Sequence, residues 1–303
     1  MNAKKIVVVG STNMDMVVKT SHIPTPGETV LGGAFFMNPG GKGANQAVAV
    51  ARLGGNVLFV SKIGNDIFGK QSAQLFAAEG IDTSCILRDE ALPSGVALIT
   101  VDAAGENSIV VAPGANANLL PADVEGALTG ISTARIILLQ LEIPLATVQY
   151  VAGYAASNRI KVILNPAPAA VLPAQLLSNI DVITPNSTEA SMIAGIKVSD
   201  LETAKQADAR IRELGVGNVV ITMGPAGALV LEGDAFTHVP APKVQAIDTT
   251  AAGDVFNGAL AVALSEHNNL PDAVRFACAA AAVSVTRLGA QSSIPYRNEV
   301  IDQ

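Results

Sequence analysis

Residues 248–258 read DTTAAGDVFNG. Asp248 and Asp254 bracket a run of small side chains, and the apolar residues of VFNGALAVAL then recur with helical spacing. The first N–H groups of a helix lack intrahelical partners and carry partial positive charge. Ala251, Ala252 and Gly253 add almost no bulk around those donors, so an anion can approach the backbone, and a phosphate is the obvious anion. Asp254 falls in the first turn and suits two roles. It is either a carboxylate that favours the positive end of a helix, or a general base that takes a proton from an attacking hydroxyl. A helix terminus lowers a carboxylate pKa, so Asp254 is expected to be ionised and weakly basic. That is tolerable in phosphoryl transfer, where in-line positioning and charge stabilisation contribute most of the rate. No G-x-x-x-x-G-K-[S/T] run occurs, since Lys42 is followed by Gly43, and this helix mouth would have to do that work another way.

Other polar residues sit at the ends of apolar runs. TPNSTEA spaces Asn186 and Glu189 as N-x-x-E. The spacing fits a capping box, and it fits equally two polar heads facing a phosphate, with Glu189 placing Mg²⁺ largely through water. ITMGPAG closes a run with Thr222, Gly224 and Gly227, which a structural turn explains as well as a phosphate contact does. STNMD places Asn13 and Asp15 after the first apolar run. A carboxylate accepts two hydroxyl hydrogens and an amide both donates and accepts, so the pair suits vicinal sugar hydroxyls; ordinary Asx turns account for it too. GGKGAN supplies Gly41, Lys42 and Asn45 at another helix start. His22, His238 and His267 share no motif and are assigned no catalysis.

These groups need elements to hold them. KKIVVVG, NVLFVSKIG, RIILLQL, KVILNPA, DVITPN and NVVITMG read as strands, and apolar stretches of helical period follow most of them. The helix starting near Ile67 has Asp66 as N-cap and Gly80 at its far end; two helices, 253–265 and 271–286, close the chain. Steady alternation predicts an α/β fold, a mostly parallel sheet with helices on both faces. Two β-rich stretches break the alternation, the second resembling a hairpin with AAGEN as its turn. They are expected to form a small β-sheet lid over the carboxyl ends of the strands, where open α/β sheets bind ligands. The expected large domain is therefore 1–12, 41–92 and 114–303, and the lid is 13–40 and 93–113.

Composition narrows the classes. The 303 residues are 50% hydrophobic and 15% charged, with net charge −7 and no Lys/Arg block, which argues against nucleic acid or an anionic membrane as partner. Cys85 and Cys278 are too few for a disulfide framework and form no metal pattern. IVVVG is too short for a signal peptide, and no run approaches the roughly 20 apolar residues a span requires. The expectation is a cytoplasmic protein with two reduced thiols. An NAD-dependent dehydrogenase would need G-x-G-x-x-G after the first strand, and GSTNMD does not supply it.

DTTAAGDVFNG resembles a signature of the ribokinase-like carbohydrate kinases, and GGKGANQAVAVARLG at 40–54 resembles their second one. The element order and the length match as well, so the resemblance covers the whole chain. Most relatives have Gly where this chain has Ala251. The resemblance implies an ATP-dependent transfer to a primary sugar hydroxyl, in the first instance the 5-hydroxyl of D-ribose, giving ribose 5-phosphate and ADP. The same chemistry on 2-deoxyribose, or a non-catalytic sensor on the same fold, are the alternatives. By position, Asn13, Asp15, Gly41, Lys42, Asn45 and Glu142 would hold the sugar, with Asp254 as base and Ala251, Ala252 and Gly253 as the anion hole. Asn186, Glu189, Thr222, Gly224, Gly227, Gly253 and Cys278 would hold ATP, with Glu189 serving Mg²⁺. Asp248, Thr250, Ser284, Arg287, Gly289 and Ser293 would hold a monovalent cation, usually K⁺, several through backbone carbonyls. The family also pairs its lids in a homodimer, for which Val17, Val30, Phe35, Val96 and Leu98 could supply apolar contact.

Overall fold

The structure is a computed structural model that describes residues 5–233 and 235–301; residues 1–4 and 302–303, at the two ends of the expected large domain, lie outside the described residues, as does 234. The strands are β1 (Lys5–Val9), β2 (Asn13–Lys19), β3 (Phe35–Gly40), β4 (Asn56–Gly64), β5 (Asp82–Asp89), β6 (Gly95–Val101), β7 (Asn107–Ala112), β8 (Ile136–Leu139), β9 (Lys161–Leu164), β10 (Val182–Ile183), β11 (Asn218–Thr222), β12 (Ala228–Glu232) and β13 (Ala235–Val239). The helices are α1 (Lys42–Arg52), α2 (Ile67–Ala78), α3 (Pro121–Glu125), α4 (Leu128–Ile131), α5 (Leu145–Ser157), α6 (Ala174–Leu177), α7 (Ser187–Ala194), α8 (Leu201–Glu213), α9 (Ala252–Ser265), α10 (Leu270–Ser284) and α11 (Arg297–Ile301).

Among the described residues nine strands form one sheet in the order β13-β12-β11-β10-β9-β8-β1-β4-β5. It is parallel from β5 to β11, and β12 and β13 close it antiparallel. Side chains alternate across it. Ile6 and Val8 join a core with α1, α9 and α10, whereas Val7 and Val9 join one with α5 and α8. That double burial is why β1 reads as an unbroken apolar run. On one side of β1 the order runs on through β4 and β5; on the other the chain re-enters at β8. The sequence order reverses there, and the crevice at the carboxyl ends of β1 and β8 is a topological switch point.

The four strands of the second sheet come from 13–40 and 93–113, in the order β3-β2-β6-β7. The sheet is mixed: β2–β6 is parallel and the outer pairs are antiparallel. The 102–106 turn is closed by Asp102, whose Oδ1 accepts from Ala104 N and Glu106 N. Asn13 and Asp15 open the lid in β2 rather than sitting in Asx turns, because the chain resumes extended structure within three residues of β1. One element departs from expectation. Strand β5 has no counterpart in the periodicity, since it is the sheet edge and mixes Asp82, Thr83 and Ser84 with apolar residues.

Candidate active site

Three segments meet at the switch point. The first is the turn from β1 into β2. The second is the start of α1, where N-cap Gly41 has φ +91° and a Cβ would fall 2.7 Å from Asn13 N. Only glycine lets the helix mouth lie this close to the 11–13 turn. The third is the end of β8. Glu142 joins all three: its Oε2 accepts from Ser11 Oγ at 2.6 Å and from Lys42 N at 3.0 Å. Asn13 is buried and its Oδ1 accepts from Asn116 Nδ2 at 2.7 Å.

Helix α9 brings the acid. Its N-cap is Ala251, with φ +60°, and Asp254 sits in the first turn, 6% exposed. Asn45 Nδ2 donates to Asp254 Oδ2 at 2.9 Å and Gln46 Nε2 donates to Oδ1 at 3.0 Å. Of the expected helix-mouth donors, Ala252 N is turned back onto Thr249 O at 3.2 Å. Among the described residues the N–H groups of Gly253 and Asp254 take no backbone acceptor, and a Cβ at Gly253 would meet nothing within 4 Å. The helix-mouth donors left open are therefore the amides of 253 and 254 rather than those of 251–253.

The expected low pKa of Asp254 is overturned. Burial is the largest influence and pushes the carboxyl up, against Lys42 and the amides of Asn45 and Gln46, which pull it down. The helix terminus favours the charged form, but this carboxyl has lost its water, and that loss outweighs the helix. Lys42 is held above its usual value by Asp254 first and by Glu142, Glu189 and Asp15 as well, against burial. Burial, with Glu142 and Asp254 adding to it, pushes Asp15 up to about 7. Four acids thus share one lysine, an arrangement that suits a site for neutral hydroxyls beside transferring phosphate.

A cavity of about 230 Å³ opens from Asp254. Lys42, Asn186, Glu189, Thr222, Ala251, Ala252 and Gly253 line it with Asp254. Asn186 and Glu189 form the capping box: Glu189 N donates to Asn186 Oδ1 at 2.9 Å, and Glu189 Oε2 accepts from Asn186 N at 2.8 Å. Burial raises the Glu189 pKa. Gly224 and Gly227 lie in the turn after β11, outside the lining, where Gly227 lets the turn close on Val239 O. Cys278 is buried in the core beside α9 and is also outside the lining; burial pushes its thiol up to about 11.

The donor sets fit the ions the resemblance implies. Among the described residues no three His, Cys, Asp or Glu side chains cluster, so a divalent ion would keep waters and lean on phosphate oxygens, as Mg²⁺ does. Glu189, with both oxygens already accepting from Asn186, suits contact through water. Asp248 Oδ1 accepts from Thr250 N and Oγ1, and its Oδ2 accepts from Gly289 N at 2.8 Å. That carboxylate ties the approach to α9 to the segment after α10. Ser284 and Ser293 are buried, and Arg287 pairs its guanidinium with Glu299. An all-oxygen set of this kind suits a hard cation.

Several contributors escape the motif reading. Gln46, Gln140, Asn165, Thr184, Asn257 and Asn116 are buried polar residues linked to the site. Asn257 Nδ2 donates to Gly253 O at 2.8 Å and so braces the helix mouth. One signal was available: Gln140, Asn165 and Thr184 each end an apolar strand, the position that faces the ligand in such sheets.

Known proteins resemble the chain over nearly its whole length. A family model described as pfkB family carbohydrate kinase matches residues 3–297. The chain is 46% identical over 299 residues to a Haemophilus influenzae protein named ribokinase, covering 99% of this chain and 98% of that protein. It is 38% identical over 291 residues to a Salmonella typhi protein named deoxyribokinase, covering 96% and 95%. The solved structure of Arabidopsis thaliana ribokinase complexed with ribose and ATP matches with a TM-score of 0.93 at 34% identity, covering 99% of this chain and 98% of that one. Sequence and fold agree over nearly the full length, and the chain belongs to the pfkB family of carbohydrate kinases.

Proposed function

We propose that the chain transfers the γ-phosphoryl group of ATP to the 5-hydroxyl of D-ribose, giving ribose 5-phosphate and ADP. The observation that carries this is the buried Asp254 carboxylate at the open mouth of α9, between the lid strand bearing Asn13 and Asp15 and the cavity lined by Asn186 and Glu189. Asn13, Asp15, Lys42, Asn45 and Glu142 hold the sugar hydroxyls, with the backbone at Gly41 allowing close approach. Asn45 Oδ1 is buried without a partner, an acceptor waiting for a hydroxyl. Asp254 takes the 5-hydroxyl proton as the oxygen attacks the γ-phosphorus. The N–H groups of Gly253 and Asp254, with Ala251 and Ala252 giving them room, stabilise the developing negative charge. Asn186, Glu189 and Thr222 face the ATP phosphates, with the turn at Gly224 and Gly227 and the helix bearing Cys278 further out. Glu189 would hold Mg²⁺ largely through water, and the ion would supply charge neutralisation on the phosphates; Asp248, Thr250, Ser284, Arg287, Gly289 and Ser293 would hold a monovalent cation, which would steady the helix mouth.

The relatives named ribokinase support ribose as acceptor. A second reading, 2-deoxyribose, is favoured by the relative named deoxyribokinase. A coupled ADP-release assay across a sugar panel separates them, with the higher kcat/KM expected for ribose; a strong preference for deoxyribose overturns the choice. Asp254→Asn should abolish turnover, and KCl should activate over NaCl. If wild type and variant both fail with every sugar, a non-catalytic sensor is the better reading.

Among the described residues the large domain spans 5–12, 41–92, 114–233 and 235–301, and the lid covers the sugar. The lid also forms the homodimer contact. Phe35, Val96 and Leu98 share one lid face by register with Met16, Met37 and Val110, and Leu98 is 52% exposed. Val17 is withdrawn from that set: it is 7% exposed and on the face bearing Asp15. Val30 is half-buried in the irregular 20–34 segment. Light scattering should give twice the chain mass. No described helix is long and apolar enough to cross a membrane, and the acidic balance with unpaired cysteines suits the cytoplasm.

A further inference from the structure

Gln46 is fully buried beside the base, one position after the sugar-facing Asn45. Its side-chain amide makes three contacts. One Nε2 hydrogen goes to Asp254 Oδ1 at 3.0 Å and the other to Asn165 Oδ1 at 3.1 Å. Its Oε1 accepts from Gln140 Nε2 at 2.5 Å. Both donors and the carbonyl are thus engaged with protein, and none is left for a substrate. The sense of the amide is fixed from outside. The NH₂ faces two acceptors, Asp254 Oδ1 and Asn165 Oδ1, while Gln140, whose own Oε1 has no partner, donates to the carbonyl. Asn165 is oriented in turn by donation from its Nδ2 to Thr184 O.

We infer that Gln46, clamped between Gln140 and Asn165, is a positioning residue for phosphoryl transfer that fixes the direction of the Asp254 carboxylate toward the attacking hydroxyl. The inference rests on the reading of Asp254 as the base. A carboxylate so deeply buried has few donors, and each of its oxygens receives one amide N–H. Without the clamp the Gln46 amide can swing off line, and its N–H no longer holds the carboxylate oxygen in a fixed direction. Loss of the donor also removes one of the influences that hold the Asp254 pKa down, so the base should need a higher pH to lose its proton.

The test uses the purified full chain with ribose, ATP and Mg²⁺, comparing wild type with Gln46→Met, Gln140→Met, the double variant and Asp254→Asn. Thermal melting confirms that each is folded. Gln46→Met should lower kcat about 10- to 100-fold, leave the ribose KM within about threefold, and move the acid limb of kcat/KM to higher pH by about one unit. Gln140→Met, which leaves every contact of Asp254 in place, should show the same pattern more weakly, about 3- to 10-fold in kcat. It should add nothing in the Gln46→Met background. If Gln46→Met does not fold, the Gln140→Met acid limb alone decides. An acid limb coinciding with wild type in the folded variants, or a Gln140→Met loss that persists without Gln46, overturns the relay. Undiminished turnover by Asp254→Asn is a different result, which removes the base itself and the relay with it.

Discussion

Gly258 of α9 lies against Ala49 of α1 so closely that a Cβ on the glycine would fall 2.5 Å from the Ala49 Cβ and 3.1 Å from Gln46 O. The contact sets how near the two helices come, and hence whether Asn45 and Gln46 on α1 reach Asp254 on α9. Adding one methyl must push the helices apart. Overpacking of this sort costs about 1–3 kcal/mol. Gly258→Ala should therefore lower Tm and also cut kcat about tenfold or more, because a small displacement lengthens both bonds to the base. Melting and steady-state kinetics on one preparation check both; a stability loss with unchanged kcat would show that the site tolerates the shift.

The helix mouth, the N-x-x-E cap and the two lid insertions were legible because each is written in a short stretch. Small residues before an acid, a capping box and β texture amid βα alternation are all local signals. The buried relay is not local: Gln140 and Gln46 lie 94 residues apart, and Gln46 and Asn165 lie 119 apart. Their adjacency exists only once β8, β9 and α1 converge. The pKa of Asp254 failed for a related reason. The helix terminus is visible in sequence, but the depth of burial that outweighs it is a property of the assembled fold.

Ala251 holds a left-handed backbone at φ +60° immediately before α9, a conformation that costs a non-glycine residue about 1 kcal/mol. Glycine would relieve the strain and pay part of the gain back in unfolded-chain entropy. Ala251→Gly should raise Tm by about 1–3 °C, keeping kcat within about threefold. Ala251→Val should do the reverse and lose both, since a β-branched residue fits that region worst. A lower Tm for the glycine variant would refute the strain.

Asp15, with a folded pKa near 7 against an ordinary 3.8, takes up a proton on folding between those values. Stability contributed by this group therefore falls as pH rises from about 4 to 7. Asp15→Asn should melt closer to wild type at pH 5 than at pH 8, where the variant should be the more stable. Ribose binding should move the other way, with KM rising about 10- to 100-fold as a charged hydrogen bond is lost. If Asp15 reads the 2-hydroxyl, the ribose to 2-deoxyribose ratio of kcat/KM collapses in the variant; an unchanged ratio assigns that hydroxyl elsewhere.

Asp208 offers a cleaner titration because it lies on α8, away from the cavity lining. It is fully buried, and neither carboxylate oxygen has a hydrogen-bond partner. Desolvation alone pushes its pKa up to about 8, so the folded chain holds it neutral at pH 7 whereas the unfolded chain would ionise it. The folded state thus binds one more proton between about pH 4 and pH 8, and stability drops by about 1.4 kcal/mol per pH unit across that window. Above about pH 8 the loss is complete. Asp208→Asn cannot titrate, so its stability relative to wild type should climb steadily with pH and then level off. Urea midpoints at pH 5, 6.5 and 8 measure this directly. Parallel pH profiles for the two proteins would mean that the carboxyl finds water or a partner when it ionises. Because the group is remote from the base, kcat at pH 7 should be the same in both proteins.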